Sequence, residues 1–183
     1  MKKIFWGIVI IGFIVIQFFR PGLNVSTKVP EANITAHYAT SESVQYILKN
    51  ACYDCHSNNT EYPWYSKVQP ITWFLADHVL KGKKKLNFDE FYTYPLKKQD
   101  HKLEELIEVV RDNEMPLKPY PVMHTDARLT EIQKQQLIDW AKGIREQIDL
   151  EGKGFTQRGK GSQSRKLDSS GLILKRLHYR IKI

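Results

Sequence analysis

The sequence predicts an all-α protein: a helical domain that follows an apolar amino-terminal helix. Three observations carry this. In the body of the chain, apolar residues recur three and four positions apart, as one face of a helix requires. These stretches open on helix-start signals, Ser41 within Thr40-Ser41-Glu42-Ser43 and the capping box Thr130-Glu131-Ile132-Gln133. The first twenty residues form one apolar run behind two lysines. Strand-like alternation of apolar and polar residues is confined to the last few positions, Leu177 to Ile183.

The apolar run extends from Ile4 to Phe19, is interrupted only by Gln17, and is closed by Arg20-Pro21. As a helix it is roughly 24 Å long, slightly short of a bilayer core. Trp6 and Phe19 stand near its ends, where aromatic side chains meet a membrane surface. No small-x-small cleavage pattern follows it, so residues 1–22 are expected to be an uncleaved transmembrane signal-anchor. Lys2 and Lys3 would stay in the cytoplasm and the remainder would lie outside. Residues 23–39 are polar, contain Pro30 and have no clear period, so they read as a linker with a reach on the order of 55 Å.

The net charge is +8, but nine Lys/Arg against a single Asp lie from Gly152 onward and account for all of it. The body is electrically balanced, which excludes a nucleic-acid-binding domain built on a basic surface. Residues 151–183 read as a basic, disordered tail.

Between them lies a domain over residues 40–150. Val44, Ile47, Leu48 and Ala51 share a face of its first helix. A second helix is expected from Pro70 to about Lys81, ended by Gly82, with Ile71, Phe74, Leu75 and His78 on one face. Lys81, Lys83, Lys84 and Lys85 then form a basic cluster, either a solvated turn or a docking patch for an acidic partner. Phe88 to Tyr94 is a short aromatic turn or helix stopped by Pro95. A helix opening at Asp100 carries Leu103, Leu106, Ile107 and Val110 inward and ends at Asp112-Asn113-Glu114. The last helix, from Thr130 to about Asp149, aligns Ile132, Leu137, Trp140, Ala141, Ile144 and Ile148.

Chemistry concentrates in Cys52-Tyr53-Asp54-Cys55-His56, which holds both cysteines of the chain. Two thiols three positions apart, followed at once by an imidazole, form a covalent haem-attachment pattern. Each thiol adds to one porphyrin vinyl group, and the next residue offers its ring nitrogen to the iron. The competing readings are a disulfide, a redox dithiol and half of a zinc site. The flanks look helical, without the βαβ pattern of thioredoxin-like dithiols. His37, His78, His101, His124 and His178 are scattered singly, without the short pair that a zinc site favours. A plain disulfide leaves His56 without a role. One haem c, covalently held by Cys52 and Cys55 with His56 as proximal iron ligand, is therefore expected.

Met115-Pro116 is the second informative site. A thioether opposite histidine is a common axial pair, and the proline pushes Met115 out of helical geometry. Met115 is the favoured distal ligand and His78 the alternative; Met123, His124, His101 or an open position are the remaining choices. The aromatic cluster Tyr62-Pro63-Trp64-Tyr65 either walls the porphyrin or fills core.

Together, Cys52-x-x-Cys55-His56 after an amphipathic helix, Met115-Pro116 in a late loop and a closing helix with Trp140 resemble class I cytochromes c. Asn50 to Ser57, Tyr62 to Tyr65 and Asn113 to Pro116 resemble more closely the bacterial membrane-anchored single-haem family labelled "haem-binding domain". The resemblance covers about Thr40 to Ile148 and leaves out the basic tail. It implies a cytochrome c-like all-α fold, Cys52 and Cys55 as thioether points, His56 as proximal and Met115 as distal ligand. The expected protein is a membrane-anchored electron carrier on the periplasmic side of the inner membrane, serving a redox partner protein. A haem sensor with a displaceable sixth ligand is the alternative. A peroxidase-like enzyme would need His78 or His124 as a distal base, and no carboxylate pair or nucleophile–base pair is evident.

Overall fold

The computed structural model describes residues 1–28 and 30–153, which are helical with no strand among them. The elements are α1 (Lys2–Ile16), α2 (Ile34–His37), α3 (Glu42–Ala51), α4 (Tyr53–His56), α5 (Ile71–Lys85), α6 (Leu96–Arg111), α7 (Tyr120–Met123) and α8 (131–153). Three short 3-10 turns, Trp64–Lys67, Phe88–Thr93 and Thr125–Ala127, lie between them. From residue 154 on, the expected basic tail falls outside the described residues.

The core is built where the helical stripes predict it. Val44, Ile47 and Leu48 of α3 meet Leu103, Leu106, Ile107 and Val110 of α6, and Leu137, Ala141, Ile144 and Ile148 of α8. Phe88 and Phe91, from the aromatic turn, complete the cluster. Ser41 caps α3 through Val44 N–H. Thr130 and Gln133 bond reciprocally at the start of α8, with Thr130 N–H donating to Gln133 Oε1 (2.9 Å) and Gln133 N–H to Thr130 Oγ1 (3.2 Å). Arg145 of α8 pairs with Asp100 (2.7 Å) and Glu104 (3.2 Å) of α6. The Trp140 indole N–H reaches Ala39 O and Thr40 Oγ1, both at 3.2 Å, tying α8 to the entry of α3.

Several expectations are corrected. Within residues 1–22, expected to be a transmembrane signal-anchor, the chain forms α1, which has fifteen residues and is about 22 Å long. No helix among the described residues is long and apolar enough to cross a membrane. α1 ends in i→i+3 turns, with Phe18 N–H on Val15 O and Phe19 N–H on Ile16 O (both 3.2 Å), and Gln17 Oε1 accepts from Gln69 N–H (2.9 Å) of the body. No residue of α1 is buried.

The linker expected over 23–39 is tied down along its length. Asn24 donates from its backbone to Tyr62 Oη (2.8 Å) and from Nδ2 to Ser57 O (3.0 Å) and Thr60 Oγ1 (2.9 Å). Lys83 Nζ donates to Asn24 Oδ1 at 2.6 Å. Further on, Asn33 caps α2, and Ile34 and Tyr38 enter the core.

α5 runs through Gly82 to Lys85, not to Lys81. Its buried residues are Thr72 and Val79, so the stripe of Ile71, Phe74, Leu75 and His78 is not the face packed on the body. The basic cluster after it is divided: Lys81 pairs with Asp77 on the surface, and Lys83 holds Asn24. α6 begins at Leu96, four residues before Asp100, because Pro95 occupies the cap position. Ile132 is exposed rather than part of the α8 stripe.

Candidate functional site

The haem-attachment pattern occupies the cap that follows one helix and all of the next. α3 ends at Ala51, Cys52 breaks the helical geometry, and Tyr53–His56 closes a single turn. Behind that turn stands Gly82. A Cβ at this position would lie 2.5 Å from Cys55 O and 3.1 Å from Cys55 Cβ, so only glycine lets α5 come this close. The approach brings the end of α5 beneath His56, whose Nδ1 donates to the Leu86 carbonyl oxygen at 2.9 Å. Phe88 meets the ring edge-on at 6.2 Å between centroids. With Nδ1 carrying the proton, Nε2 keeps its lone pair, the tautomer that ligates a metal. Burial pulls the imidazole below its usual pKa, against the smaller opposing pull of the Leu86 and Gly82 carbonyls, which further favours the neutral ring.

The opposite wall comes from the end of α6. Asn113 adopts a left-handed φ of 60°, a conformation that asparagine tolerates better than most residues. Glu114 N–H then bonds Val109 O (2.9 Å) and Asn113 N–H bonds Val110 O (3.3 Å), the paired closure of a Schellman ending. Met115 N–H also reaches Val109 O (3.1 Å), so the chain doubles back on its own helix. The peptide between Met115 and Pro116 is cis.

Between these walls is a cavity of about 370 Å³. Cys52, His56 and Met115 line it, among Leu86, Phe88, Leu106, Val109, Val110 and Leu137. Lys85, Lys102, Glu105, Glu108 and Glu114 also reach its lining, with Lys102 paired to Glu105 (2.6 Å). Cys55 is half-buried and does not line the cavity. Both thiols are free, with burial raising Cys52 to about 12 and Cys55 to about 11. Among the described residues, no group of three or more His, Cys, Asp and Glu side chains is placed to hold a metal ion.

The other candidate ligands lie away from this cavity. His78 bonds through Nδ1 to Phe74 O (2.8 Å) and packs against the Phe74 ring. His101 sits on the surface beside Glu104 and Glu105. His124 is hydrogen-bonded to Tyr65 Oη (2.6 Å) and stacked on Tyr120, and Met123 is exposed. None of the aromatic residues from Tyr62 to Tyr65 reaches the cavity.

Residues 11–143 match the family described as the haem-binding domain. The chain belongs to that family. No curated protein and no solved structure matches it. The side chains of this haem-binding domain fit the group. The cavity is walled mainly by apolar residues, as a porphyrin face requires. It also carries a neutral imidazole with a fixed tautomer, a thioether and one thiol of the pair.

Two contributions to this haem-binding domain carry no signal in a single sequence. One is the Leu86 carbonyl, thirty residues from His56. The other is Tyr120, whose hydroxyl donates to Asp54 Oδ2 at 2.6 Å and so fastens the loop after Met115 to the middle of the Cys52–His56 turn. Gly82 did leave a trace, but as a helix end rather than a point of close approach.

Proposed function

We propose that this haem-binding domain is a monohaem c-type electron carrier. Cys52 and Cys55 hold the porphyrin through thioethers, His56 is the proximal iron ligand and Met115 the distal one. The observation that carries this reading is that His56 and Met115 line one apolar cavity beside Cys52, while His78 stands outside it. Haem, when bound, supplies an iron that exchanges one electron at a time. The protein's part is to hold and to exclude. The Leu86 carbonyl fixes the His56 ring, and the Asn113 turn presents Met115. Phe88, Leu106, Val110 and Leu137 keep water from the site. With His56 and Met115 both holding it, such an iron would favour electron transfer over ligand capture.

The same reading places the domain outside the cytoplasmic membrane, where bacteria attach haem covalently, with α1 entering lipid. The support is α1 itself: an apolar helix whose side chains are nearly all exposed has no stable place in water. A redox protein is its partner.

The first test is chemical. Protein matured in cells with haem-attachment machinery should keep its Soret absorbance on acid–acetone extraction, and its mass should exceed that of the bare chain by one haem. Colourless protein of unaltered mass defeats the reading. The ferric protein should show the long-wavelength sulfur–iron band, absent in Met115→Ala. Rapid carbon monoxide binding by the wild-type ferrous protein would favour the sensor reading instead.

A further inference from the structure

The body of the protein carries an apolar face that its own core does not use. On α5, Ile71 is 40%, Trp73 40% and Phe74 54% exposed, and in the preceding turn Trp64 is 76% exposed. Val68 between them is also exposed. Thr72, among them, is buried and donates from Oγ1 to Ser66 O at 2.7 Å, which packs the 3-10 turn of Trp64 against the start of α5. Large apolar side chains gathered in this way mark a contact surface.

The position of the face identifies what it meets. The Trp73 indole N–H donates to Phe19 O at 2.8 Å, and Gln69 Nε2 donates to the same carbonyl at 2.8 Å. Gln17 and Gln69 are joined as well. The face therefore begins where α1 leaves off, beside the exposed rings of Phe18 and Phe19. A protein groove would cover one stripe of a helix, but α1 exposes apolar side chains at consecutive positions from Ile8 to Ile11 and so on every side. Only a lipid phase accommodates all of them. Tryptophan with phenylalanine at the foot of such a helix is the composition of a membrane–water boundary, and Arg20 adds a charge at that level.

We propose that the body is seated directly on the lipid surface through Trp64, Ile71, Trp73 and Phe74, continuous with Phe18 and Phe19. It does not swing on a tether. The bonds from Gln17, Gln69 and Asn24 hold it at one attitude, so the haem cavity keeps a set orientation to the membrane. This rests on the reading that α1 enters lipid.

Site-specific photocrosslinking in membranes of cells making the full haem-loaded chain tests it. Benzoylphenylalanine is placed at Phe74, at Phe13 in α1 and at Ile132 at the start of α8. The expected result is a lipid adduct at Phe13 and Phe74, and none at Ile132, on a band that still stains for haem. A lipid adduct at Phe13 with none at Phe74 overturns the seat and leaves the α1 reading standing. A peptide adduct at Phe74, whether to a second copy, to residues 154–183 or to another protein, also overturns it. Loss of lipid adducts at both Phe13 and Phe74 removes the α1 reading as well, while the haem stain reports separately on the cofactor.

Discussion

Gly82 and Cys55 touch backbone to backbone across α5 and the Cys52–His56 turn, with 2.5 Å between the Cys55 carbonyl oxygen and the place where a Cβ on Gly82 would sit. Neither group is the far end of a flexible side chain, so the contact cannot yield by rotation alone. The same approach delivers the Leu86 carbonyl to His56.

Gly82→Ala is expected to destabilise the protein by about 1–2 kcal/mol, since an overpacking cost of about 2–3 kcal/mol against rigid backbone outweighs the gain of about 1 kcal/mol in helix propensity. Chemical denaturation of the haem-loaded protein measures it. An unchanged or raised midpoint would show that α5 can move off the turn at no cost.

Tyr120→Phe removes the hydrogen bond to Asp54 Oδ2. A bond to a charged acceptor is worth about 1.5–3 kcal/mol, so stability should fall by that order. The loop after Met115 then loses its fastening to the haem-attachment turn, and imidazole should displace Met115 faster than in the wild type. Equal displacement rates would show that Tyr120 does not restrain the loop.

Asp89 is buried and accepts from Asn33 Nδ2 (2.7 Å) through Oδ1 and from Asn58 N–H (2.7 Å) through Oδ2. Asp89→Ala leaves both donors unmet, and each orphan costs about 1–3 kcal/mol. Asn58 lies two residues after His56, so the yield of haem-loaded protein should fall together with the thermal midpoint. Wild-type stability in this variant would mean that water replaces the carboxylate.

The haem-free chain is expected to lose stability in alkali. Burial holds Cys52 at about 12 and Cys55 at about 11, against 9.0 for the free thiol, and it holds Tyr38 at about 12, against 10.0. Below pH 9 neither folded nor unfolded chain releases these protons. Above it the unfolded chain releases them first, so stability falls as the pH rises towards the folded values. With the thiols converted to thioethers, as proposed, the haem-loaded protein has no thiols to titrate, so its alkaline limb should be shallower. Urea midpoints at pH 8 and pH 10 for both forms test this, and parallel pH dependences would refute it.

The amino-acid sequence by itself determined the helices and the chemistry of the site. The spacing of apolar residues in α3, α6 and α8 marks their inner faces, and Ser41 and Thr130 mark helix starts, because these are local properties of the backbone. Cys52, Cys55, His56 and Met115 stand out because the proposed covalent attachment and iron ligation call for those side chains. The stripe on α5 shows where periodicity stops. It reveals that a helix has two faces, but not which neighbour covers the apolar one, and on α5 the packed face is that of Thr72 and Val79.

Only the tertiary structure decided the rest. Asn24, in a stretch that reads as solvated linker, is bound by Tyr62, Ser57, Thr60 and Lys83, partners more than thirty residues away. Leu86 offers His56 a backbone carbonyl, which every residue possesses and no side chain announces. Met115 and His78 both carry a donor atom that iron accepts, but only Met115 lines the cavity of His56. The physical reason is common to all three. Periodicity and ligand chemistry belong to short stretches of chain, whereas hydrogen-bond partners and cavity walls are set by which distant surfaces folding brings together.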